Sequence, residues 1–138
     1  MQLKYSEWQA MIRLPYYVFF AVYSSRERKQ SSNIELFINQ LSDYARNNKG
    51  TLNGQLIADS LHEHESILIT TLKMSANQIL DELRMAIFRL RETMNNENRL
   101  QVVEFLNQLY CELGGASNNS PLANHVNEIL QMEAKVTA

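Results

Sequence analysis

The sequence predicts an all-α fold: a compact bundle of six or seven helices, mostly antiparallel neighbours. Two observations carry that expectation. Each apolar repeat in the chain has a period near 3.6, and no run alternates with period two between turn signals. The segments between repeats are short, about 3 to 8 residues, which suits helices packed against their neighbours in sequence. With 138 residues, 45% of them apolar, the chain has the length and composition of one core, so residues 1–138 read as a single domain.

The first element runs from about Ser6 to Ser24. Trp8, Met11, Ile12, Phe19 and Val22 fall on one stripe, and Tyr16, Tyr17, Val18 and Phe20 cover the rest of the circumference. A helix that is apolar all round belongs in the middle of a core. Pro15 has no N–H to give, so the helix kinks or restarts there. After a polar loop, Ser32-Asn33-Ile34-Glu35 reads as a capping box, in which the serine and glutamate side chains each satisfy a free amide. Ile34, Phe37, Ile38, Leu41 and Ala45 then repeat at amphipathic spacing, and Gly50 is suited to a left-handed cap beyond them.

From Thr51 to about Leu72 the pattern predicts two short helices meeting near His62-Glu63-His64-Glu65. Ser75-Ala76-Asn77-Gln78 is a second capping box. Behind it, Ala76, Ile79, Leu80, Leu83, Ile87, Leu90 and Met94 form a core seam. A helix from Glu97 to Leu113 carries Val102, Val103, Leu106, Leu109, Tyr110 and Leu113, and Gly114-Gly115 stops it. Ser120-Pro121 caps and opens a last helix that buries Leu122, Val126, Ile129 and Leu130.

Composition excludes several function classes. A net charge of -2 lacks the basic excess of a nucleic-acid-binding module. The mixed run Arg26-Glu27-Arg28-Lys29 reads as a solvated loop. The longest apolar run, Leu14 to Tyr23, is about half of the roughly 20 residues needed to cross a bilayer, so no membrane insertion is expected. One cysteine, Cys111, and no secretory signal pattern fit a reducing, cytoplasmic setting. Near a helix C-terminus that thiol is expected to be inert and partly buried.

No catalytic constellation stands out. The tetrad His62-Glu63-His64-Glu65 is the densest set of metal-capable side chains, yet its histidines are two apart, where zinc-protease geometry needs four. A solvated helix junction is the expectation, with no metal and no cofactor. A phosphoacceptor role for His64 is disfavoured because Glu63 and Glu65 would repel a phosphoryl group. Gly114-Gly115-Ala116-Ser117 follows a helix, whereas phosphate loops precede one.

One helix has a surplus of apolar side chains. Met85 and Phe88 lie about 120–180° from the core seam of their helix, flanked by Arg84 and Arg91. Either the helix is central, with both covered by another part of the chain, or they form an exposed patch. Aromatic, methionine and arginine side chains together are the composition of an interface.

The order of features resembles a known family. Trp8, an all-apolar first helix with Pro15 and Phe19, a polar loop and Glu35 opening an amphipathic helix are shared elements. Phe105-Leu106-Asn107-Gln108-Leu109 leading to Leu113-Gly114-Gly115-Ala116-Ser117 is another. Together they resemble the TerB-like (tellurite-resistance B) group of small bacterial helical proteins. That group places an Ala-Asp-Gly step after its first helix and a glutamate soon after, as candidate cation ligands. This chain has Val22-Tyr23-Ser24-Ser25-Arg26 there, and Glu35 alone could correspond. The expected function is therefore a non-enzymatic cytosolic domain that binds a protein, either an unidentified partner or a second copy, through Arg84, Met85, Phe88 and Arg91. The alternative that the resemblance implies is a stress-response or metal-binding domain.

Overall fold

The computed structural model describes residues 5–23, 31–115 and 120–137, without the side chains of Ser31, Ser32 and Thr137. These residues form eight helices: α1 (Tyr5–Met11), α2 (Leu14–Val22), α3 (Ser31–Asn47), α4 (Leu52–His62), α5 (His64–Leu72), α6 (Ala76–Thr93), α7 (Asn96–Glu112) and α8 (Pro121–Thr137). No strand occurs among the described residues. The fold is an all-α bundle, as its periodicity predicts.

The count exceeds six or seven because Pro15 restarts the first helix. With no amide at Pro15, the chain turns at Ile12 and Arg13, and the Tyr16 amide donates to the Arg13 carbonyl at 3.0 Å, a tighter i→i−3 bond. The Ile12 carbonyl is thereby released, and the buried Ser60 hydroxyl donates to it at 2.6 Å. One proline thus explains both the break between α1 and α2 and a buried serine on α4.

Helix α2 is the centre of the molecule. Every residue from Leu14 to Val22 is buried, and α5, α6, α7 and α8 all pack on it. Phe19 lies 4.7 Å from the Phe37 ring of α3 and 5.2 Å from Tyr23, ring centre to ring centre. The Tyr23 hydroxyl donates to the Leu113 carbonyl at 2.6 Å, tying the end of α2 to the end of α7. Among the described residues no helix is long and apolar enough to cross a membrane.

Around this centre the amphipathic helices turn their seams inward. Phe37 and Leu41 of α3 are fully buried, with Ile34, Ile38 and Ala45 packed beside them. In α6, Ile79, Leu80, Leu83, Ile87 and Leu90 are buried as expected, and Ala86 joins them. Ala76, in the exposed first turn, does not. On α8, Leu122, Val126 and Leu130 are buried, while Ile129 is half-buried. Cys111 is exposed rather than partly buried, because it sits on the outer side of α7 between the buried Tyr110 and Leu113.

The helix ends follow the capping chemistry. Ser75 Oγ accepts from the Gln78 amide at 3.2 Å, and Gln78 Oε1 accepts from the Ser75 amide at 2.7 Å, a complete capping box. Ser120 Oγ accepts from the Ala123 amide at 3.1 Å ahead of Pro121. Two further caps were not anticipated: Thr51 Oγ1 accepts from the Gly54 amide, and Asn95 Oδ1 from the Asn98 amide, so α7 begins at Asn96 instead of Glu97. Helix α3 begins at Ser31, and the expected contact of the Ser32 side chain lies outside the described residues, as does the run 26–29. Gly114 stops α7 with φ of +91°, and a Cβ on Gly115 would meet the Tyr110 ring at 2.5 Å.

Candidate interaction face

Helix α6 has two apolar sides with different fates. Its seam is buried against α1, α2 and α8. On the other side Met85 is 50% exposed and Phe88 is 48% exposed, so neither is covered by the described chain. The exposed-patch expectation is the one the geometry matches.

A groove of about 280 Å³ runs between α6 and α8. Ile87 and Phe88 form one wall, Ile129 and Met132 the other. Met132, which the sequence does not single out, is 66% exposed. Arg84 stands one turn before Phe88 and Arg91 one turn after it, and both line the groove. Three of the four expected face residues therefore share one concavity. Met85 lies outside its lining, on the surface one turn from Phe88.

Arg91 does more than flank the patch. Its Nε donates to both oxygens of Glu133 on α8, each at 3.0 Å, and its Nη2 donates to Oε1 at 2.5 Å. Glu133 is 2% exposed, Arg91 is 46% exposed, and Arg99 of α7, only 11% exposed, brings its Nε to 3.8 Å from the same carboxylate. The hydrogen bonds with Glu133 hold the Arg91 pKa above its ordinary value. One buried carboxylate thus joins α6, α7 and α8 beside the groove. Glu133 lies three residues after Leu130 and seven after Val126, on the core stripe of α8. A carboxylate there needs a buried cationic partner, and that was the available sequence signal.

The other ion pairs on α6 lie at the surface, with Arg89 half-buried. Arg84 Nη1 lies 3.7 Å from Asp81 Oδ1, and Arg89 Nη1 donates to Glu92 at 2.8 Å. The Arg89 guanidinium also lies 6.0 Å from the centre of the Phe88 ring. Exposed pairs three residues apart contribute little to stability and exchange partners readily.

The tetrad is a helix junction as expected, solvated at His62 and Glu65, which are exposed, and half-buried at Glu63 and His64. His62 ends α4, Glu63 forms the junction and His64 opens α5. His64 Nδ1 lies 2.9 Å from the Tyr16 hydroxyl, which also lies 3.0 Å from the Ser60 carbonyl. A carbonyl can only accept, so Tyr16 donates to Ser60 and His64 Nδ1–H donates to Tyr16. Burial lowers the His64 pKa, with the Glu65 charge opposing, and burial raises that of Tyr16. Gln9 Nε2 donates to Glu63 at 3.1 Å, and Trp8 Nε1 donates to Asp59 at 2.7 Å, so α1 is fastened along the same edge. Among the described residues no three His, Cys, Asp or Glu side chains come together as a metal-holding group.

No family model, curated protein or solved structure matches this chain. Of the positions that carry the TerB-like resemblance, 24–26 and 116–117 lie outside the described residues, and Glu35 is exposed on α3.

Proposed function

We propose that the chain is a non-enzymatic protein-interaction domain that binds through the α6–α8 face. The observation that carries this is the exposure of Met85, Phe88 and Met132 beside a groove on well-packed helices. Single exposed apolar residues are ordinary, whereas a contiguous set with a concavity marks a binding surface. Covering the open halves of Phe88 and Met85 is worth about 1 kcal/mol each. Methionine adapts to varied partner shapes, and the phenyl ring supplies a rigid anchor. The Arg91–Glu133 pair holds both walls in place before a partner arrives, which lowers the ordering cost of binding.

A photo-crosslinking amino acid tests the assignment. Placed at Met85, it should join the chain to a discrete protein product in cells that express it. At Ile69, an exposed apolar position on α5, it should not. Equal labelling from both sites, or none from Met85, overturns the reading.

A further inference from the structure

The α6 face carries both signs of charge along with its apolar side chains, and their order makes it complementary to itself. Arg84, Phe88 and Glu92 are spaced four apart and form one ridge on the helix surface. Arg84 and Glu92 are exposed; Arg84 lies 3.7 Å from the exposed Asp81, and Glu92 accepts from the half-buried Arg89 at 2.8 Å. We propose that the occupant of this face is a second copy of the chain. In this dimer two α6 helices cross about a two-fold axis at Phe88. This rests on the reading of the face as an interaction surface and names its partner.

A two-fold axis perpendicular to the helices makes them antiparallel. Each residue of one copy then faces the residue equally far beyond the axis in the other. With the axis at Phe88, the two phenyl rings meet and Arg84 of each copy faces Glu92 of the other, giving two opposite-charge contacts. Arg91 faces Met85, whose thioether lies against the arginine's aliphatic stem.

Neighbouring axes are worse. An axis midway between Met85 and Phe88 sets Arg84 against Arg89 and Asp81 against Glu92, two like-charge contacts at every symmetry mate. An axis at Met85 sets Phe88 against Glu82 and leaves its ring beside a carboxylate. Of these axes, the one at Phe88 both brings the two rings together and pairs opposite charges across the two-fold. Because Arg84 and Glu92 lie on the surface, exchanging their ion-pair partners costs little.

Charge reversal with rescue tests the register. Wild type should dimerise reversibly in sedimentation velocity over a wide concentration range. Arg84→Glu and Glu92→Arg should each weaken the dimer at least about tenfold, because each brings like charges together twice. The double variant restores both contacts in swapped order, and its affinity should return to within a few fold of wild type. Far-UV circular dichroism confirms that each variant is folded. A monomeric wild type, single variants that dimerise normally, or a double variant no better than the singles would each overturn the proposal. If wild type is monomeric while the crosslinker at Met85 still captures another protein, the second copy is refuted and the interaction face stands. If Met85 captures nothing as well, both fall.

Discussion

Removing either end of the Arg91–Glu133 pair breaks the same contact, yet the two losses should differ. Arg91→Met leaves Glu133, which is almost fully buried, with only the Arg99 guanidinium at 3.8 Å. An uncompensated buried charge costs about 3–5 kcal/mol, and the residual partner places this variant near the low end, at about 3 kcal/mol. Glu133→Met leaves no buried carboxylate. Arg91 is about half exposed and regains water, and Arg99 still donates to Asn96 at 2.8 Å. Methionine is close to glutamate in volume, so the site stays filled and the loss should be about 1 kcal/mol. The difference of about 2 kcal/mol is roughly thirtyfold in the folding equilibrium. For a chain of this length it corresponds to about 6–10 °C in Tm. Urea titration followed by circular dichroism reads it directly, with the slope in denaturant unchanged. Equal losses, or a larger loss for Glu133→Met, would refute the argument that the buried carboxylate is the dominant charge.

Three further outcomes follow from the geometry. Ser75→Ala removes the acceptor of the Gln78 amide and should lower stability by about 0.5–2 kcal/mol, read as a shifted urea midpoint. Ser60→Ala leaves the Ile12 carbonyl buried beside the proline break without its donor, which should cost about 1–3 kcal/mol in the same titration. His64 is held neutral by burial, so its folded pKa lies below its unfolded value of about 6.5. Unfolding then takes up a proton between the two values. The His64 contribution is complete above about pH 6.5 and is lost as pH falls toward the folded pKa. His64→Gln should flatten the stability profile in that window, and an unchanged slope would remove His64 as its cause.

Local patterns were legible wherever one residue's environment follows from its neighbours in sequence. The all-round apolar run of α2 announced a central helix, and the Ser75–Gln78 box marked the start of α6 in register. The break between α4 and α5 was visible as a polar interruption in two apolar repeats. Features that depend on a partner far along the chain were not. Ser60 reads as an ordinary helix residue until Pro15 frees the Ile12 carbonyl 48 residues away. Glu133 stood on an apolar stripe without a visible partner, since Arg91 is 42 residues distant. On the face itself, the angular separation of Met85 and Phe88 from their helix's core seam was readable, but their exposure was not. Spacing within one helix cannot show whether another helix covers it. Met132 was missed for the same reason, because its role depends on where α8 lies against α6.

The methionine methyl groups test the binding face most directly. Met85 and Met132 lie on it, exposed, whereas Met11 and Met94 are buried in the core. Methyl-labelled protein, observed by NMR on dilution and on titration with extract from cells that express it, separates the two pairs. The account predicts that the Met85 and Met132 signals shift or broaden together while those of Met11 and Met94 hold still. Exposed methyl signals that stay fixed under both treatments would contradict it.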